Sequence, residues 1–216
     1  YFGIINSVDH FVLFDDAQYT TRDWRNRNRI RTKEGELWLS IPVKKKGLGR
    51  QKIFEVETSD EAWSEKHWQS IYHSYKKAPF YEDVSKWLQP LYLDRNLALL
   101  SDINALFIKE ICDYLNIKTK IVPSMDLEIT GETATLRLIS LVQQLGGDTY
   151  LSGPAAKDYM DESDFEQAGM KLEYVDYSAH KAYPQVHGEF VDGLSILDLL
   201  FNLGPSSKDY LIQQGL

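Results

Sequence analysis

The chain has 216 residues, of which 43% are hydrophobic and 26% charged, an ordinary composition for a globular protein with a sizeable core. Its formal net charge of −8 argues against a dedicated nucleic-acid-binding protein, because phosphate binding needs a basic face. The single cysteine excludes an intrachain disulfide framework and a cysteine-based zinc site, and no long apolar run or signal-like segment occurs. The composition therefore predicts a cytoplasmic protein without membrane insertion.

The first quarter of the chain predicts strands. The chain begins at Tyr1 rather than methionine, so we expect an N-terminal segment to have been lost or removed. The apolar run "HFVLFD" at 10–15 predicts a buried strand that ends in carboxylates. "RNRIRT" at 27–32 and the alternating "ELWLSIPV" at 36–43 flank the turn signal "KEGE" and predict an antiparallel pair. "KIFEVE" at 52–57 predicts a further strand.

The rest of the chain alternates helices and strands. Thr58 and Glu61 have the spacing of a capping box before a helical pattern, and helical patterns continue to about residue 116. Thr130 or Thr133 is expected to cap a later helix, and an apolar helix, "LSILDLLFNLG", is predicted near the end. The predicted strands of this part are 118–123, 149–151 and 171–177. The predicted helices that connect them are 132–145 and 162–168.

This βαβαβ order predicts an α/β fold with right-handed crossovers. We expect a mostly parallel central sheet with flanking helices, a small antiparallel strand element and a helical insert. No linker or repeat marks a boundary, so residues 1–216 are predicted to form a single α/β domain with a helical subdomain at about 60–116.

The most informative stretch is "RDWRNRNR" at 22–29, which follows the pair Asp15 and Asp16. Ligands of parallel α/β sheets bind beyond the carboxyl ends of the strands, where this pair is expected. The arginines offer fork-shaped donors for phosphate or carboxylate, and Trp24 offers a stacking plane. In a strand, alternation would turn Arg25, Arg27 and Arg29 to one face and Asn26 and Asn28 to the other. The alternative is an exposed edge strand whose arginines pair with nearby carboxylates.

Other chemical signals are weaker. "KKKGLGR" at 44–50 matches no phosphate-binding fingerprint, and a solvated hairpin explains it equally well. His67 and His73 are six residues apart on one predicted helix, a poor spacing for a metal, so no metal site is expected. Ser152 and Gly153 end a predicted strand, where backbone N–H groups can bind an anion. Cys112 falls in an apolar helical pattern and is expected to be a core residue.

Several stretches together resemble the WbqC-like protein family of bacterial surface-polysaccharide gene clusters. They span nearly the whole chain: "YFGIINSVDHFVLFDDAQYTTRDWRNRNRI", "WLSIPV", "YKKAPFY", "QLGGDTYLSGPAAKDYM" and "LSILDLLFNLG". The block from Asp-Asp-x-Gln-Tyr to Asn-Arg-Asn-Arg is the most specific. Members usually carry a strand and a Gln-Pro-x-Tyr-x-Pro segment before this start, and that segment is absent here.

The resemblance implies a role in O-antigen or similar polysaccharide biosynthesis. It suggests a transferase that adds an acyl or aminoacyl group to a nucleotide-linked amino sugar, a small-molecule substrate, with no nucleic-acid partner. An attacking amine must lose a proton, and we expect Asp16 to accept it, with His180 as the second candidate. No cofactor is assigned. The residues expected to bind substrate are Asp15, Gln18, Arg22, Trp24, Asn26, Arg27, Asn28, Lys76, Ser152, Gly153, Asp198 and Asn202.

Two other functions stay open at the level of sequence. An ATP-dependent, nucleotidyltransferase-like ligase would convert ATP to AMP and pyrophosphate in the presence of an amino sugar. A non-catalytic sugar-binding or assembly component would tolerate the loss of Asp16 and Arg27. For Asp198 and Asn202 the alternative is helix capping and packing of the last helix.

Overall fold

A computed structural model describes residues 1–21, 24–45, 47–94, 96–158, 160–179 and 181–211. Within these residues the strands are β1 (His10–Leu13), β2 (Arg27–Thr32), β3 (Gly35–Ser40), β4 (Lys120–Pro123), β5 (Thr149–Ser152) and β6 (Lys171–Tyr174). The α-helices of the same residues are α1 (Phe2–Asn6), α2 (Trp63–Tyr75), α3 (Tyr81–Leu93), α4 (Leu100–Tyr114), α5 (Ala134–Gln144), α6 (Glu162–Gln167) and α7 (Ile196–Leu203).

The described chain divides into two compact units, each assembled from separate stretches of sequence. Residues 1–14 and 117–179 belong to the first unit, and residues 15–116 and 181–210 belong to the second. The prediction that 1–216 is a single domain stays a prediction.

The first unit contains two parallel strand pairs covered by helices. β1 pairs with β4, and β5 pairs with β6, each in parallel. Thr133 caps the start of helix α5, and its hydroxyl accepts a hydrogen bond from the Leu136 backbone N–H at 3.1 Å. Helices α5 and α6 bury Ile139 and Phe165 in one apolar cluster, and Phe165 stacks on Tyr150 of β5. The apolar side chains of α5 and α6 and those of the neighbouring strands β5 and β6 thus pack into one core.

The second unit is built around an antiparallel ribbon and four helices. β2 pairs with β3 in a register that places Arg29 opposite Trp38 and Thr32 opposite Gly35. Ile30 of β2 is completely buried. The ring of Tyr75 at the end of α2 stacks on that of Phe201 of α7, with centroids 4.8 Å apart. The ribbon therefore has one face in the core of this unit.

The α/β class is confirmed, with short parallel pairs, one antiparallel pair and α2, α3 and α4 in the expected helical region. In the described part of the chain, no helix is both long and apolar enough to cross a bilayer.

Two local predictions were wrong, and one short helix was not predicted. Residues 52–57 do not form a strand: a 3-10 helix, Ile53–Glu55, replaces it, with the Glu55 carboxylate accepting from the Lys52 N–H at 2.8 Å. Ile53 and Val56 are both buried, and their spacing of three suits a 3-10 turn. Helix α2 begins at Trp63 without a capping box at Thr58, and the short helix α1 carried no sequence signal.

Candidate functional site

The outer face of the β2–β3 ribbon combines arginine and tryptophan side chains. The Arg27 guanidinium carbon lies 4.4 Å from the ring centroid of Trp38, and that of Arg29 lies 5.6 Å from it. Trp24, which precedes β2, lies with its ring centroid 5.4 Å from that of Trp38 at an interplanar angle of 38°. Alternation along β2 explains the arrangement, because residues two apart share a face. We call Trp24, Arg27, Arg29 and Trp38 the ribbon face.

Arg29 is held in place by its own unit. Its Nη1 lies 2.5 Å from Glu36 Oε2, and its Nη2 donates to the Gly193 carbonyl at 3.0 Å. The backbone carbonyl of Arg29 accepts from the Ser195 N–H at 2.7 Å. These contacts fix the Arg29 side chain, so that its guanidinium group is held beside the rings of Trp24 and Trp38.

The two asparagines of the run have different environments. Asn26 is buried, and its Nδ2 donates to the Ile41 carbonyl at 2.9 Å. Among the described residues, no donor reaches the buried Oδ1 of Asn26. Asn28 is exposed, and its Oδ1 accepts from the Arg29 backbone N–H at 2.8 Å. Asn26 thus joins the loop to the segment after β3, whereas the Asn28 amide group lies at the surface.

The paired carboxylates that follow β1 are not equivalent. The Asp16 carboxylate pairs with Lys52 Nζ at 2.5 Å, and the Lys52 side chain is half exposed. Burial raises the pKa of Asp15, with the Arg25 charge opposing the shift and the Asp102 charge adding to it. A carboxylate with a raised pKa is the stronger proton acceptor once it is ionised. Asp15 is therefore a further candidate to take a proton from an amine.

Asp198 lies in a buried polar network at the start of α7. The residue is 0% exposed; its Oδ2 accepts from the Tyr75 hydroxyl at 2.8 Å and its Oδ1 from the Tyr183 hydroxyl at 2.9 Å. Asn202 Nδ2 donates to the Asp198 carbonyl at 2.7 Å and lies 3.3 Å from Oδ1. Burial raises the pKa of Asp198, although the two tyrosine hydrogen bonds oppose this. The contacts of this network join α2, α7 and the segment before it.

The remaining described candidates are dispersed. Gln18 is exposed and forms a backbone bridge with Lys52, and Lys76 Nζ lies 4.9 Å over the ring of Tyr72 just after α2. In the first unit, Ser152 is buried at the end of β5, and its carbonyl accepts from the Val175 N–H at 2.9 Å. A Cβ added at Gly153 would come 3.7 Å from the Tyr177 hydroxyl.

The structure brings six of the predicted residues of the second unit together in three pairs. Trp24 and Arg27 share the ribbon face, Asp15 and Asp16 share the loop after β1, and Asp198 and Asn202 share the buried network. Arg22 and His180 lie outside the described residues. Within those residues there is no group of three or more His, Cys, Asp or Glu side chains that could hold a metal ion.

Sequence reasoning did not single out Trp38 or Tyr75. The signal for Trp38 was available, because the turn at residues 33 and 34 sets the register that puts it opposite Arg29. Tyr75 had no such signal. Its hydroxyl meets Asp198, which is far away in sequence, and accepts from the Arg31 N–H at 3.0 Å.

Comparison with known proteins identifies the family of the chain. The model of the WbqC-like protein family matches residues 1–210. The chain is 41% identical over 211 residues to the protein named "Uncharacterized protein Rv1507c" of Mycobacterium tuberculosis (strain ATCC 25618 / H37Rv). That alignment covers 98% of this chain and 91% of the relative. No solved structure matches the chain. The chain belongs to the WbqC-like protein family.

Proposed function

We propose that this protein is a cytoplasmic transferase of bacterial surface-glycan biosynthesis, including O-antigen synthesis. It adds an acyl or aminoacyl group to the amine of a nucleotide-linked amino sugar. The observation that carries the proposal is the ribbon face, where two guanidinium groups lie beside exposed aromatic rings in a chain of net charge −8. Membership of the WbqC-like family supports the glycan context.

The proposed step joins the amine nitrogen to the carbonyl carbon of an activated donor, such as a thioester. The C–N bond forms, the bond from the carbonyl carbon to the leaving thiolate breaks, and the proton of the attacking amine passes to a base. Asp16 and His180 are the sequence-based candidates for this base. The half-buried Asp15, with its raised pKa, is a third candidate. Arg27 would bind the anionic phosphates.

The test is to incubate the purified protein with UDP-glucosamine and a panel of acyl and aminoacyl thioesters, and to follow the nucleotide sugar by mass spectrometry. We expect a mass increase equal to the transferred group. Arg27→Ala should lower kcat/KM at least tenfold by weakening phosphate binding. Asp15→Asn and Asp16→Asn together identify the base, which is the carboxylate whose loss reduces kcat. Lys86→Ala, on the exposed side of α3, is the matched control for removal of one positive charge.

The outcomes separate the alternatives. Formation of AMP and pyrophosphate from ATP, dependent on the amino sugar, would replace the transferase by a ligase. Product formation unchanged in both Asp16→Asn and Arg27→Ala would contradict the roles given to these side chains. Absence of any product across the panel, with the nucleotide sugar bound, would leave a sugar-binding component and overturn the transferase.

A further inference from the structure

Two tryptophans on the ribbon face are unusually exposed. Trp24 is 61% exposed and Trp38 is 43% exposed, and their rings lie side by side rather than in a core. Large aromatic rings normally bury most of their surface, so an adjacent exposed pair indicates a binding surface more than a packing defect. Trp38 also lies directly opposite Arg29 across the ribbon, which fixes its backbone position.

The charge beside these rings is positive. Arg27 and Arg29 both have guanidinium carbons within 6 Å of the Trp38 centroid, and Arg29 lies 5.8 Å from that of Trp24. Glu36 offsets the charge of Arg29, with which it forms an ion pair, so the net contribution of these three side chains is one positive charge. A ligand for this surface therefore combines a flat ring with an anionic group.

We propose that the ribbon face is a nucleoside diphosphate site: the heterocyclic base stacks on the Trp24–Trp38 pair, and Arg27 contacts the phosphates. The inference rests on the proposed function only in taking the nucleotide to be that of the substrate or the donor. A neutral pyranose would use the rings without needing the guanidinium groups. Inorganic phosphate would use the guanidinium groups without needing the rings. A nucleotide uses both, because base–aromatic stacking and guanidinium–phosphate pairing act on its two ends.

The first experiment measures binding by isothermal titration calorimetry, without turnover, using UDP, ADP, inorganic pyrophosphate and glucosamine as probes. We expect UDP or ADP to bind at least tenfold more tightly than pyrophosphate, and glucosamine not to bind measurably at the same concentrations. Tighter binding of UDP assigns the site to the nucleotide sugar, and tighter binding of ADP assigns it to an adenine-bearing donor. Both results support a base-stacking site. Equal affinity for pyrophosphate and both nucleotides would overturn it.

The second experiment uses matched variants. Trp38→Leu and Trp24→Leu keep apolar volume but remove the aromatic face, and each should weaken nucleotide binding about tenfold. Trp38→Phe keeps a ring and should remain within about threefold of the parent protein. Arg27→Ala should weaken both the nucleotide and pyrophosphate. Leu93→Ala, at another exposed apolar position of the same unit, is the control that should change neither.

Circular dichroism checks that each variant is folded. Because the two tryptophans lie on separate segments, the variant of one tryptophan remains informative if the variant of the other misfolds. Unchanged nucleotide affinity in both leucine variants would overturn the stacking site even if acyl transfer is observed. Conversely, tryptophan-dependent nucleotide binding without any acyl product would sustain this site while the proposed transferase fails.

Discussion

The side chains of the arginine-rich run at 22–29 that the structure describes make different contacts. Asn26 is buried and bonded to the Ile41 carbonyl, so it stabilises the loop that carries Trp24. Arg29 pairs with Glu36, as the edge-strand alternative expects, whereas Arg27 lies over Trp38. The ligand-binding role of Arg27 stays a prediction. Alternation along the strand was predictable, but the difference between these contacts depends on which partner the fold places across from each side chain.

His67 is a buried titratable residue outside the candidate site. It lies on α2, and its Nε2 is 3.1 Å from the Ser40 carbonyl oxygen. Burial lowers the pKa of His67 to about 4, and the hydrogen bond to Ser40 opposes the shift. The folded state therefore binds a proton at His67 more weakly than the unfolded state, whose pKa is near 6.5.

Because the unfolded state takes up this proton first, His67 causes a loss of stability as the pH falls from 6.5 toward 4, and none above that window. We expect the loss between pH 7 and pH 5 to be about 2 kcal/mol in the free energy of unfolding. Urea denaturation of the parent protein and of His67→Gln at both pH values measures it. A pH dependence equal in the two proteins would contradict the assignment to His67.

The elements of the second unit depend on a close approach between the end of α7 and the start of α3. The Phe80 N–H donates to the Phe201 carbonyl at 3.0 Å, which brings the Phe80 ring against Gly204. A Cβ added to Gly204 would lie 2.2 Å from the nearest carbon of that ring, and Gly204 has a φ of +57°. Glycine is required there by both space and backbone conformation.

We expect Gly204→Ala to lower the free energy of unfolding by about 3 kcal/mol or more, because overpacking adds to backbone strain. Gly146→Ala is the matched control: its φ is +71°, but nothing lies within 4 Å of the added Cβ. That substitution should cost about 1–2 kcal/mol from the backbone alone. Thermal and urea unfolding of the two variants measure the difference. Equal losses would show that the Phe80 contact does not contribute.

At the scale of the whole molecule, neither unit is a continuous segment of chain. The second unit needs residues 181–210 in addition to 15–116. Those later residues supply the Asp198 carboxylate to Tyr75 and the ring on which Tyr75 and Tyr81 stack, that of Phe201. Without them, the buried Tyr75 hydroxyl would lose the acceptor for its proton, and the rings of Tyr75 and Tyr81 would lose their stacking partner.

We therefore expect residues 15–116 expressed alone to show a weak near-ultraviolet circular dichroism signal and poor amide dispersion in NMR spectra, because the fragment lacks these aromatic contacts. Fusing residues 181–210 to the fragment through a flexible linker should restore both. The same fusion carrying Asp198→Ala is the control and should recover less, since the hydroxyls of the buried Tyr75 and the half-buried Tyr183 would lose the Asp198 acceptor. A fragment that is fully structured by itself would refute the dependence.

The sequence by itself determined the α/β class, the antiparallel β2–β3 pair, the helices of the second unit and the family, because these follow from local periodicity, turn signals and residue order. It did not predict the 3-10 helix at Ile53–Glu55, where spacing between buried residues overrode strand propensity. Only the tertiary structure decided that Asp16 pairs with Lys52, that Asp15 has a raised pKa and that Asp198 receives Tyr75 and Tyr183. The physical reason is that burial and charge pairing depend on contacts between residues distant in sequence, which no local pattern encodes.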